Sequence, residues 1–182
     1  MNLANLITVI RILLVPFLII AVVYFNPAAV YFKWIAAGIF FLASVSDAID
    51  GFIARIRNQR TALGGFLDPF ADKILTTSAF LSVQASAGFH YKLPLWVLII
   101  IVSREVLIVS GLLILFFTHQ EIKIQPSFLG KLTTVAQMVT VGALLLEYSW
   151  SNWAAYLAAL LTIGSGLGYV WRESKRINHH AS

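Results

Sequence analysis

An all-α integral membrane protein is the fold class that the sequence predicts, and three observations predict it. Of the 182 residues, 59% are hydrophobic and only 12% are charged, about half the charged share of an ordinary soluble domain. The mean hydropathy is +0.85. Apolar runs of spanning length recur along the whole chain and do not alternate, which favours helices over strands. Six spans fit, with one membrane domain over residues 1–182 and no water-soluble domain left over.

The first span is expected from about Leu6 to Tyr24, with Pro16 as a kink, and Asn26-Pro27 breaks it. The second runs from Tyr31 to Ile56. A basic loop, RNQRTALGG, leads to the third, from Phe66 to Ala87, which Gly88 ends. Leu93-Pro94 opens the fourth, which reaches Phe117. After THQEIKIQP comes the fifth, Ser127 to Leu146. A turn from Glu147 to Ser151 precedes the sixth, Asn152 to Trp171, which ends in RESKR.

Charge sets the expected orientation. Arg55, Arg57, Arg60, Lys123, Arg172, Lys175 and Arg176 fall on one side, against Lys33 and Lys92 on the other. The basic side is cytoplasmic, so both termini lie in the cytoplasm and the chain sits in the cell's inner membrane. The net charge of +5 follows from that topology and from anionic lipid; nucleic acid is not an expected partner. Cysteine is absent, which excludes disulfides and thiolate metal sites. The N-terminus lacks the pattern of a cleaved signal peptide. Trp34, Trp96, Trp150, Trp153 and Trp171 fall near span ends and are expected as interfacial anchors.

Four of the eight acidic residues fall near the end of the second span, Asp47 and Asp50, and near the start of the third, Asp68 and Asp72. Residues three or four apart share a helix face. Each pair therefore points one way, and a short loop makes the two helices antiparallel neighbours. Each aspartate costs about 2.5 to 3.5 kcal/mol at the centre of a bilayer and less near its surface, so the cluster needs compensation. Arg55 and Lys73 are too few, and Lys73 is expected to snorkel or balance charge. Two Mg²⁺ or Mn²⁺ ions would balance four carboxylates with hard oxygen ligands, and such a pair serves phosphoryl displacement. Gly51, Ala54 and Gly64 are small enough to admit a ligand. Asp68-Pro69 also has the form of an ordinary helix start.

The full spacing, Asp47-x-x-Asp50-Gly51-x-x-Ala54-Arg55, eight residues, then Gly64-x-x-x-Asp68-x-x-x-Asp72, resembles the signature of the CDP-alcohol phosphotransferase family at every fixed position. Asn5-Leu6-Ile7-Thr8-Val9-Ile10-Arg11 is similar to the family's N-terminal segment, with Ala4 in place of the usual proline. Ser103-Arg104-Glu105 and Leu129-Gly130-Lys131-Leu132-Thr133-Thr134 resemble family segments too.

The resemblance implies a phosphatidyltransferase of anionic lipid synthesis that uses CDP-diacylglycerol and releases CMP. It implies that Asp47, Asp50, Asp68 and Asp72 hold the two metal ions and that Asp72 is also the general base. Asn5, Thr8, Gly51, Ala54, Arg55 and Gly64 are implied at the CDP moiety. Arg11, Arg104 and Lys131 are candidates for gripping an acceptor phosphate, and Arg104 could instead pair with Glu105. A homodimer is a further family expectation.

Length and the N-terminal segment resemble bacterial members whose acceptor is glycerol 3-phosphate. Val109 and Leu112 stand where those members carry a Ser-x-x-Arg step, so an expected phosphate-binding arginine is missing. IKIQPSFLGKLTTVAQ is similar to members that use phosphatidylglycerol and make cardiolipin. Glycerol 3-phosphate is the expected acceptor and phosphatidylglycerol the alternative. A membrane prenyltransferase would need two separated Asp-rich motifs, and a cation carrier would leave the Gly-x-x-Ala-Arg element unexplained.

Overall fold

The computed structural model describes the backbone of residues 3–57, 62–117 and 128–180, and side chains at 6–46, 67–114, 117 and 128–168. Its six helices are α1 (Leu3–Tyr24), α2 (Tyr31–Arg57), α3 (Ala62–Ala85), α4 (Leu95–Phe117), α5 (Phe128–Leu145) and α6 (Ser151–His180). Stretches apolar and long enough to cross a membrane lie in α1, α4 and α5, at Leu6–Tyr24, Leu95–Ile114 and Phe128–Leu145; α2 adds a shorter one, Tyr31–Ser46.

The core is apolar, as in a water-soluble bundle, but the outer face is apolar too and some strongly polar side chains lie inside. Leu107 is 73% exposed, Leu160 68% and Phe17 60%, while Arg11, Glu105 and Gln137 are almost wholly enclosed. Large apolar side chains facing outward over several helices suit hydrocarbon as the surrounding solvent. Thr140 and Thr162 each return their hydroxyl to the carbonyl four residues back, at 2.7 Å. The Thr133 hydroxyl also reaches across to the Leu161 carbonyl of α6 at 3.1 Å. Such bonds satisfy polar groups where no water can.

Helix α3 is the central element. It packs along α1 and touches α2, α4 and α5; α5 pairs with α6, α6 with α4, and α2 with α5. Over residues 67–85 only Leu81 and Ala85 are exposed. This explains why α3 carries Asp68, Asp72, Lys73, Thr76 and Ser82 yet remains inside: its surroundings are protein, not lipid.

The α1–α2, α3–α4 and α5–α6 connections gather at one end of the bundle. Helix α5 stops there in a Schellman motif: the Glu147 amide donates to the Leu144 carbonyl at 3.0 Å and the Tyr148 amide to Ala143 at 2.9 Å. Glu147 holds the left-handed position (φ 57°) that glycine usually fills. Its carboxylate repays the strain by accepting the His90 amide at 3.1 Å and lying 3.5 Å from Lys33 Nζ. Trp34, Trp96, Trp150 and Trp153 are all exposed in this region, as interfacial anchors are; the Trp171 side chain lies outside the described residues.

Two boundaries differ from the sequence expectation by four residues or more. Helix α3 begins at Ala62, so Asp68-Pro69 is interior and not a helix start. Gly64 and Gly65 read as loop, yet both lie within the helix despite their poor helix propensity. Helix α6 runs on through RESKR to His180.

Candidate active site

The end opposite those three connections holds the chemistry. Asp68 and Asp72 are one helical turn apart on α3, and Asp72 is buried. Helix α1 supplies Thr8, whose hydroxyl donates to Asp68 Oδ1. Arg11 follows one turn later on α1, almost fully enclosed. The hydroxyl of Thr76, one turn beyond Asp72, donates to the Asp72 carbonyl at 2.9 Å. This continues the polar line into the core.

Behind Asp72 lies an ion-pair network spanning three helices. Lys73 Nζ is 3.2 Å from Asp72 Oδ2 and 3.1 Å from Glu105 Oε2. It is also 3.5 Å from the Thr134 hydroxyl. Arg104 donates to Glu105 Oε1 at 2.7 Å, and Gln137 Nε2 donates to the same oxygen at 2.9 Å. The four charges balance in number, two of each sign, which is the condition for enclosing them at tolerable cost. Lys73 is thus a buried charge-balancing residue and does not snorkel.

Sequence reasoning missed Glu105 and Gln137 as members of this cluster. Each was detectable as a strongly polar residue within an apolar helix, the one signal a single sequence offers for such a role. It named Thr8 as a nucleotide contact; the structure gives its hydroxyl a bond to Asp68. Lys131 is exposed on the first turn of α5, apart from the network. Leu112, where an arginine was expected, is buried in the core.

Asp47, Asp50, Gly51, Ala54 and Arg55 lie on the last turns of α2, Gly64 on the first turn of α3, and Asn5 on the first turn of α1. Their side chains lie outside the described residues. Among the described residues, no three His, Cys, Asp or Glu side chains gather closely enough to hold a metal ion. The donor chemistry nevertheless fits a hard cation. Asp68 and Asp72 offer all-oxygen ligands on one face, and Thr8 fixes Asp68 as an outer-shell donor does.

Residues 1–164 match the family profile described as CDP-alcohol phosphatidyltransferase. A CDP-diacylglycerol--glycerol-3-phosphate 3-phosphatidyltransferase of Haemophilus influenzae is 37% identical over 175 residues, 93% of this chain and 91% of that protein. Its namesake in Salmonella choleraesuis is 35% identical over 177 residues, covering 93% of each. The one in Escherichia coli K12 is 34% identical over 177 residues, with the same coverage.

Proposed function

The chain belongs to the CDP-alcohol phosphatidyltransferase family, and we propose that it transfers a phosphatidyl group from CDP-diacylglycerol to glycerol 3-phosphate, releasing CMP. The observation that carries this reading is the placement of Asp68 and Asp72 on one face of a buried helix, at the polar end of a bundle whose flanks suit lipid. The printed activity of relatives aligned over nearly the full chain supplies the substrates.

In this reading all six helices cross the inner membrane, both termini are cytoplasmic, and the aspartate end faces the cytoplasm. Acyl chains stay in the bilayer while the diphosphate meets the polar end. The acceptor hydroxyl attacks the phosphorus that bears diacylglycerol. The bond from that phosphorus to the oxygen bridging to CMP breaks, and CMP leaves with the bond's electron pair. Asp72 takes the hydroxyl proton. Asp47, Asp50, Asp68 and Asp72 would hold two divalent cations, Mg²⁺ or Mn²⁺, which when bound neutralise the diphosphate and lower the acceptor's pKa. Asn5, Gly51, Ala54, Arg55 and Gly64 are assigned to the CDP moiety, with Thr8 beside them acting through Asp68. Arg11, Arg104 and Lys131 are the cations assigned to the acceptor phosphate. A homodimer is part of the same proposal.

The test is an acceptor competition. Purified protein receives labelled CDP-diacylglycerol and a divalent cation, with glycerol 3-phosphate, phosphatidylglycerol, serine or inositol phosphate in turn. Cation-dependent CMP release with glycerol 3-phosphate is the expected result. Release with phosphatidylglycerol alone would make it a cardiolipin synthase, and release with none would remove the transferase reading.

The Thr8 contact gives a finer prediction. Thr8→Val removes the donor to Asp68 while keeping the shape. Loss of an outer-shell partner typically costs about 10- to 100-fold, so CMP release at sub-saturating Mn²⁺ should fall about tenfold. Thr8→Ser should retain most of it. Equal rates for the two variants would show that the hydroxyl is not used.

A further inference from the structure

We propose that Glu105 is a positioning residue for Asp72, acting through Lys73 by drawing its ammonium group away from the Asp72 carboxylate. The inference rests on Asp72 as base and metal ligand and adds a residue to that reading. Its ground is geometric. Lys73 Nζ stands almost midway between two carboxylates, 3.2 Å from Asp72 and 3.1 Å from Glu105. Glu105 is 2% exposed and belongs to a different helix, so its position is set by packing and not by the lysine.

Glu105 is itself fixed from the other side. Its Oε1 accepts Arg104 at 2.7 Å and Gln137 at 2.9 Å, which leaves Oε2 turned toward Lys73. Gln137 is fully enclosed and comes from α5. Glu105 therefore cannot swing to follow the ammonium group. Lys73 follows Asp72 directly in the chain and is tied to it whatever the rest of the protein does. Without Glu105 only the neutral Thr134 hydroxyl at 3.5 Å would compete for it, so the charge would settle chiefly on Asp72 and occupy the oxygens that a cation and an acceptor hydroxyl need. Glu105 holds one share of that charge and leaves Asp72 the other. The lysine then steadies the aspartate without capping it.

The experiment is a double-mutant cycle read by Mn²⁺ binding, followed by electron paramagnetic resonance on the full chain in detergent, with CMP release alongside. Glu105→Gln in the wild-type background should weaken Mn²⁺ binding about tenfold, the scale of outer-shell losses. In a Lys73→Met background the same substitution should change it less than about twofold, because the two residues act as one unit. A merely structural role would give the same factor in both backgrounds, and that result would overturn the proposal. An unchanged affinity in Glu105→Gln would do so too. Should Glu105→Gln fail to accumulate as folded protein, the cycle is run with Glu105→Asp, whose shorter arm lengthens the Lys73 contact. Loss confined to the background that keeps Lys73 supports the proposal; equal loss in both removes it. A wild-type protein that neither binds Mn²⁺ nor forms CMP would sink the transferase reading together with this one. A working wild type with a flat cycle would sink this one alone.

Discussion

Asp72→Asn should lower turnover by about 10³-fold or more while CDP-diacylglycerol still binds. A positioned general base contributes roughly 10²- to 10⁴-fold, and Asp72 is also a proposed metal ligand, so the loss belongs in the upper part of that range. Asparagine keeps the shape but can neither take the proton nor offer a charged oxygen. The fold should survive. Lys73 retains Glu105 at 3.1 Å and the Thr134 hydroxyl at 3.5 Å, so it is not stranded as a lone buried charge. That second partner separates activity from stability here. CMP release and retention of labelled CDP-diacylglycerol, measured on one preparation, check both halves. Turnover within tenfold of wild type would mean that Asp72 is not the base.

Much of this site was legible because its chemistry is local. Asp68 and Asp72 sit one turn apart in the chain, and helical periodicity alone places them on one face. The network behind them was not legible, because it is assembled across helices. Glu105 and Gln137 are separated by 32 positions and meet at 2.9 Å only through the packing of α4 and α5 around α3. A single sequence shows that each is a costly residue in an apolar helix, but not which other costly residue it meets. The start of α3 was misjudged for a related reason. Gly64-Gly65 and Asp68-Pro69 carry strong local signals for a loop and a helix start. Both lie inside the helix all the same, and from residue 67 onward that helix is held within the bundle, largely against α1.

The bundle's orientation of parts depends on a close approach at the other end, where Gly88→Ala should be the most destabilising small substitution. A Cβ at residue 88 would lie 2.0 Å from the Phe25 carbonyl oxygen, 2.9 Å from its carbon and 3.0 Å from the ring's Cδ1. The first two are backbone atoms and cannot rotate away. Nor can the segment slide off. The Ser86 hydroxyl donates to the Val22 carbonyl at 3.2 Å, and the Gly88 amide donates to that hydroxyl at 3.2 Å. The Phe25 and Phe89 rings pack with centroids 4.5 Å apart.

Relieving the overlap means parting the end of α1 from the α3–α4 connection and breaking these contacts together. Overpacking of this kind costs about 1 to 3 kcal/mol and occasionally more, so about 3 kcal/mol is expected. Thermal unfolding in detergent should show it as a lowered Tm. Gly111→Ala is the matched control: it lies within α4 with nothing within 4 Å of the added carbon, and alanine in a helix interior should stabilise by about 0.5 to 1 kcal/mol. Because residue 88 lies at the end away from Asp72, the folded fraction of Gly88→Ala should keep its turnover per molecule. An equal Tm for Gly88→Ala and wild type would show that the two backbones do not meet as described. A loss of turnover without a loss of Tm would couple this end of the bundle to the aspartates in a way that packing alone does not provide.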